Sequence, residues 1–131
     1  MWSLTIEPRF AETDALGHIN NTVLPVWFEQ ARTPIFRFFT PDLNPKDWHL
    51  IIAKIDVEFV GELFYGSEIE IRTWIEKVGN TSFVIYHEAW QGDTLGARGH
   101  AVMVHFDHDQ KASKALPQEI RTQLEQHLKP E

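Results

Sequence analysis

Residues Arg9 to Arg32, RFAETDALGHINNTVLPVWFEQAR, decide how the rest of the chain is read. The stretch changes character midway. A polar loop, Glu12-Thr13-Asp14-Ala15-Leu16-Gly17-His18, leads through Asn20-Asn21-Thr22 into a strongly apolar segment. There Leu24, Trp27/Phe28, Ala31, Ile35 and Phe38/Phe39 recur every three or four residues, the period of a helix with one stripe in the core. Asn20, Asn21 and Thr22 are good N-cap residues, and Pro25 fits the first turn, where an N–H has no intrahelical partner. The spacing predicts a buried helix from about Thr22, with the carboxylate of Asp14 in the loop leading to its N-terminus. Free N–H groups and partial positive charge gather at such a terminus. A carboxylate there stays ionised, and a carbonyl placed beside it is polarised. Pro34 lies inside the periodic pattern and predicts a kink or split between Gln30 and Thr33.

On either side of this segment the period changes from helical to alternating. Trp2, Leu4 and Ile6 alternate with Ser3, Thr5 and Glu7, a short half-buried strand ended by Pro8. After a loop over residues 40–47 come four β-like runs: Ile51 to Val60, Glu68 to Val78, Thr81 to Gln91 and Leu95 to Asp107. Gly61 to Gly66, Gly79-Asn80 and Gly92-Asp93 supply the residues that tight reversals need. Pro117 opens a last amphipathic helix with Ile120, Leu124 and Leu128 on one face. The order reads as an α+β domain spanning residues 1–131: hairpin-connected antiparallel strands wrapped around one helix that they nearly enclose. Trp74, Val84, Trp90, Val102 and Val104 are expected on the outer face, where their apolar surface calls for a homodimer at least, or a dimer of dimers.

Composition narrows the function classes. The 131 residues include 43% hydrophobic and 24% charged, with no cysteine and a formal charge of −7. Disulfide and thiol chemistry are excluded, which fits a cytoplasmic protein. A net negative chain without a basic cluster is a poor nucleic-acid binder. The apolar runs are too short for a membrane span, and Met1-Trp2-Ser3-Leu4 has no basic n-region of a secretory signal. His100, His105 and His108 suggest a metal at first sight, but positions 100 and 105 of one strand point to opposite faces, so the expectation is no metal site.

Asp14, Gly17, His18, Asn20, Asn21, Glu29, Ala31 and Arg32 together read D-x-x-G-H-x-N-N followed by E-x-A-R. This resembles the hot-dog-fold acyl-CoA thioesterases of the 4-hydroxybenzoyl-CoA thioesterase type. Phe64-Tyr65-Gly66-Ser67 and Gly79-Asn80-Thr81-Ser82 match the same family at later positions. The resemblance implies a sheet wrapped around one helix, dimers joined edge to edge, and active sites at the dimer interface. It also implies hydrolysis of an acyl-coenzyme A thioester with no metal or other cofactor; an acyl-carrier-protein thioester is the alternative substrate. The family's essential acid falls on Asp14, and the N–H that polarises the thioester carbonyl falls near Asn21.

Each candidate also has a plainer reading. Gly17, His18, Asn20, Asn21 and Thr22 are candidate substrate-binding residues, yet an imidazole in a loop more often holds the backbone, and the asparagines are caps first. Glu29 on the helix is an alternative acid/base, although a Glu three residues before Arg32 more often pairs with it. Lys77, Arg72 and Arg98 are candidates for coenzyme A phosphates. Two other functions compete: a hot-dog hydratase or dehydratase, using His18 with Asp14 or Glu29, and a non-catalytic acyl-binding protein.

Overall fold

The helical segment breaks where its second proline requires it. The structure, a computed structural model, describes residues Met1–Glu131 and divides the segment into α1 (Leu24–Ala31) and α2 (Thr33–Phe39), with Arg32 between them at φ −82° and ψ −7°. Pro34 has no N–H for the carbonyl of Gln30, and its ring crowds that carbonyl. The Thr33 hydroxyl donates to it instead, at 2.9 Å. At the other end Asn20 is the cap. Its Oδ1 accepts from the Thr22 N–H at 3.0 Å and from the Thr22 hydroxyl at 2.9 Å. Asn21–Val23 makes a single 3-10 turn, so the α-helix proper starts two residues later than the capping pattern predicts.

Six strands complete the chain: β1 (Trp2–Ile6), β2 (Leu50–Phe59), β3 (Ile69–Val78), β4 (Ser82–Gln91), β5 (Thr94–Asp107) and β6 (Ala112–Ser113). The main sheet runs β1-β3-β4-β5-β2, antiparallel throughout, and curls around the helices, with β6 a two-residue addition beside the end of β5. This is the α+β hot-dog architecture. One connection differs from the expected run of hairpins. β2 does not pair with β3; it crosses to the far edge and pairs with β5 from Leu50↔His105 to Phe59↔Ala97. Gly61 and Gly66 encode a change of direction there, but a turn residue does not specify which strand comes alongside.

The inner face of the sheet holds Ile69, Ile71 and Ile75 of β3, Phe83, Ile85 and Ala89 of β4, and Ala97, Ala101 and Met103 of β5. Each fully buried Ile or Phe stabilises the fold by roughly 1.5–3 kcal/mol. Small residues on β5 let α1 come close. A Cβ on Gly99 would strike the Asp56 carbonyl and lie 3.2 Å from Phe28 Cε2. The apolar core forms two clusters, one around Leu24, Trp27 and Phe28 of α1 and one around Ile35 of α2. Thr73 lies between Ile71 and Ile75 on β3, and His87 between Ile85 and Ala89 on β4. With Arg32 at the helix break they place a buried polar layer where the two clusters divide.

Three expectations are corrected. Val26, Glu29 and Gln30 leave one face of α1 exposed, because the curl of a single sheet does not reach it. The outer residues Trp74, Val84, Trp90, Val102 and Val104 are half-buried by their neighbours: Trp74 packs on Tyr86 at 5.9 Å, and Arg72 lies 4.7 Å above the Trp90 ring. Within the sheet, the exposed apolar side chains instead line the edge strand β2, at Ile51, Ile52, Ile55 and Phe59. Finally, α3 (Gln118–Glu125) ends before Leu128, which leaves the helix and bridges to Ile75.

Candidate active site

Asp14 sits in a small closed loop. An antiparallel bridge joins Thr13 to Ile19, and the Asp14 N–H donates to the His18 carbonyl at 2.7 Å. Inside the loop, Asp14 Oδ1 accepts from the Leu16 N–H at 2.8 Å and the His18 N–H at 3.0 Å. Gly17 makes this possible by adopting φ +83°, a conformation unfavourable for any residue with a side chain. These N–H groups hold the Asp14 carboxyl below its usual pKa, the Leu16 bond most strongly, with partial burial opposing and the His18 contacts assisting. Asp14 is therefore a carboxylate at neutral pH, with Oδ1 occupied by the backbone and Oδ2 turned toward the His18 ring.

Two neighbours frame it. The His18 ring lies between carboxylates, Nδ1 3.5 Å from Asp14 Oδ2 and Nε2 3.5 Å from Glu62 Oε1. The second neighbour is the 61–66 crossover, which the topology brings alongside. His18 bridges to Phe64, and the Ile19 N–H donates to the Leu63 carbonyl at 2.8 Å. Behind the loop, Glu12 is buried and anchors it to α1. Its Oε2 accepts from Trp27 Nε1 at 2.9 Å, its Oε1 from the Arg9 N–H at 2.7 Å, and its carbonyl from the Asn20 N–H at 2.8 Å. Burial pushes the Glu12 pKa up, but the Arg9 and Trp27 hydrogen bonds and the Arg9 charge outweigh it, so the net shift is downward.

The start of the helix presents one free donor. Asn20 N–H and Thr22 N–H are both occupied, whereas the Asn21 N–H takes part in none of the loop, turn or cap hydrogen bonds. Asn21 and Thr22 are exposed at this end. The residues singled out in the sequence thus divide into two groups. Asp14, Gly17, His18, Asn20, Asn21 and Thr22 form one continuous structure running from the loop into the helix. Glu29 is elsewhere, exposed on α1 and beside the outer cleft described below, and it makes no hydrogen bond or ion pair with Arg32. Arg72 and Arg98 are already paired, with Glu70 at 2.7 Å and Glu58 at 3.0 Å, which leaves Lys77 exposed. Glu12 of the loop, Phe64 of the Phe64-Tyr65-Gly66-Ser67 stretch and Glu62 of the crossover join the site in roles that the sequence does not assign them. Nothing local signals those roles, since they depend on contacts made by the fold.

These features define a hot-dog domain with an ionised loop carboxylate beside a capped helix start. The profile of the thioesterase-like superfamily matches residues 8–124. A solved structure described as "a predicted thioesterase from Bacillus stearothermophilus" is 42% identical, with a TM-score of 0.95, over 99% of this chain and 98% of that one. A thioesterase from Thermus thermophilus, solved in complex with coenzyme A and Zn, is 25% identical, with a TM-score of 0.82, over 93% of this chain and 95% of that one. In sequence, 74 residues are 32% identical to the "Putative acyl-CoA thioesterase YneP" of Bacillus subtilis, 54% of each protein. The chain spans about half the length of the curated relatives it matches. It belongs to the thioesterase-like superfamily and has the hot-dog fold. No helix is long and apolar enough to cross a membrane.

Proposed function

We propose that this chain hydrolyses acyl-coenzyme A thioesters, with Asp14 as the reacting carboxylate and the Asn21 N–H as oxyanion donor. The observation that carries the reading is the asymmetry of Asp14: two backbone N–H groups fix Oδ1, and Oδ2 is left as a charged, oriented oxygen. Such an oxygen either attacks the thioester carbonyl, forming a mixed anhydride that water opens, or takes a proton from the attacking water. In both routes negative charge develops on the former carbonyl oxygen, where a free N–H at a helix start stabilises it. The departing thiolate needs little protonation, consistent with a site that has no strong general acid. His18, held through its backbone, orients the loop. The coenzyme A seen with the Thermus thermophilus relative supports that carrier here.

The reading includes a homodimer joined along β2. Ile52, Ile55 and Phe59 are each at least half exposed on this edge strand, and an open apolar edge is stable when another strand covers it. Turnover of a panel of acyl-coenzyme A esters by the wild-type chain and by Asp14→Asn tests the proposal. Loss of hydrolysis in the variant alone supports it, and equal turnover by both refutes the role of Asp14. Hydroxylamine trapping of an acyl-Asp14 anhydride separates the nucleophilic route from the general-base route.

A further inference from the structure

Arg32 is buried, with 6% of its surface exposed, and no carboxylate pairs with it. Its side chain makes one hydrogen bond, from Nη1 to His87 Nε2 at 3.4 Å. A guanidinium only donates, so Nε2 is the acceptor and the His87 proton is on Nδ1, which donates to Thr73 Oγ1 at 2.9 Å. Phe28 stacks on the His87 ring at 4.9 Å and 9°. The arginine is thereby held from behind by a packed, neutral imidazole. Its Nε is sealed from solvent without a partner; its Nη2 is neither sealed nor hydrogen-bonded. A buried cation with unused donors is expensive unless an acceptor meets it.

The guanidinium borders a cleft of about 520 Å³ on the β2 side of the helix break, walled by Phe36, Trp48, Ile52 and Met103, with Glu29 at its rim. That volume lies within the ordinary range for small-molecule sites. An apolar wall with one fixed cation fits a chain that is hydrocarbon along its length and carries oxygen at its end. The cleft lies down the helix from Asn21, eleven residues before Arg32, or roughly 16 Å at the rise of an α-helix.

We propose that this cleft receives the far end of the acyl group and that Arg32 selects acyl chains ending in a carboxylate over plain hydrocarbon chains. The proposal rests on the thioesterase reading above and adds a substrate class to it. A charge-assisted hydrogen bond from a desolvated donor favours the ω-carboxylated substrate by about tenfold to a hundredfold in kcat/KM.

The test compares ω-carboxylated and plain acyl-coenzyme A esters of matched length, from short to long, with the intact chain. The expected result is a preference for the carboxylated member at the length that reaches Arg32. That ratio collapses toward one in Arg32→Gln, is partly kept in Arg32→Lys, and rises severalfold in Glu29→Gln, which removes a competing charge at the rim. Glu29 is exposed, so this variant reads the cleft even if the Arg32 variants do not fold. A wild-type enzyme that hydrolyses both series equally at every length, or a ratio that Glu29→Gln leaves unmoved, overturns the inference and leaves the thioesterase reading standing. Where neither series is hydrolysed, the thioesterase reading fails, and binding of the matched thioether analogues decides the inference: equal affinity overturns it, tighter binding of the carboxylated analogue supports it.

Discussion

Thr73 and His87 face each other in direct register across β3 and β4, with the hydroxyl and Nδ1 2.9 Å apart and both side chains fully buried. The pair is neutral of necessity. Burial first, then the charges of Arg32 and His100, pulls the His87 pKa from 6.5 to about 3.

That shift predicts acid sensitivity. Between pH 6.5 and about 3 the unfolded chain protonates His87 and the folded chain does not, so the unfolded state binds more protons and stability rises with pH. Stability is full above the unfolded pKa and falls by up to about 1.4 kcal/mol per pH unit below it from this group alone. His105 and His127, also lowered chiefly by burial, act in the same direction. Urea melts at pH 7.5 and pH 5 measure the slope, and His87→Gln should flatten it while lowering stability at the higher pH. A slope unchanged by His87→Gln would mean that other groups carry the acid sensitivity.

Asp14→Asn should lower kcat by at least about 10²-fold, the span a general base or nucleophile supplies. The amide oxygen still accepts from Leu16 and His18, so the melting temperature should change little. His18→Ala, which keeps its backbone hydrogen bonds, should lower turnover less. If Glu29→Gln loses turnover on that scale while Asp14→Asn stays active, the reacting carboxylate is on the helix.

Ile55→Lys addresses assembly. Ile55 lies on the edge strand with 51% of its surface exposed, so the substitution should cost an isolated chain little. Across a joined edge it places two charges near a symmetry axis, where like charges repel. Light scattering should show a wild-type dimer at micromolar concentration and a Lys variant shifted toward monomer, with activity falling in parallel.

Gly99→Ala should destabilise the fold by about 1–3 kcal/mol, the usual cost of overpacking. The added methyl meets the Asp56 carbonyl on β2 and the ring of Phe28 on α1 together. Thermal unfolding measures the loss. A neutral result would show that α1 and β2 yield freely at this point.

The elements of this protein were legible in its sequence because their causes are local. The helical stripe from Leu24 to Phe39, the break demanded by Pro34, the Asn20 cap and the reversals at Gly79-Asn80 and Gly92-Asp93 each follow from residues within a turn or two of one another. The loop from Asp14 to Thr22 was legible for the same reason, its hydrogen bonds being short-range. Which strand lies beside β2 was decided by the tertiary structure alone. Alternation assigns a residue to a face of a strand, and glycine permits a turn, but neither chooses the partner strand. Once β2 crosses to pair with β5, Glu62 and Phe64 arrive beside His18, and the apolar side chains of β2 are left on an open edge. The β3–β4 hairpin sets His87 against Thr73, but only the packed core brings Arg32 of the helix break onto that pair. No spacing announces that contact, because it joins a helix break to two strands through a core whose overall burial, rather than any local signal, holds them together.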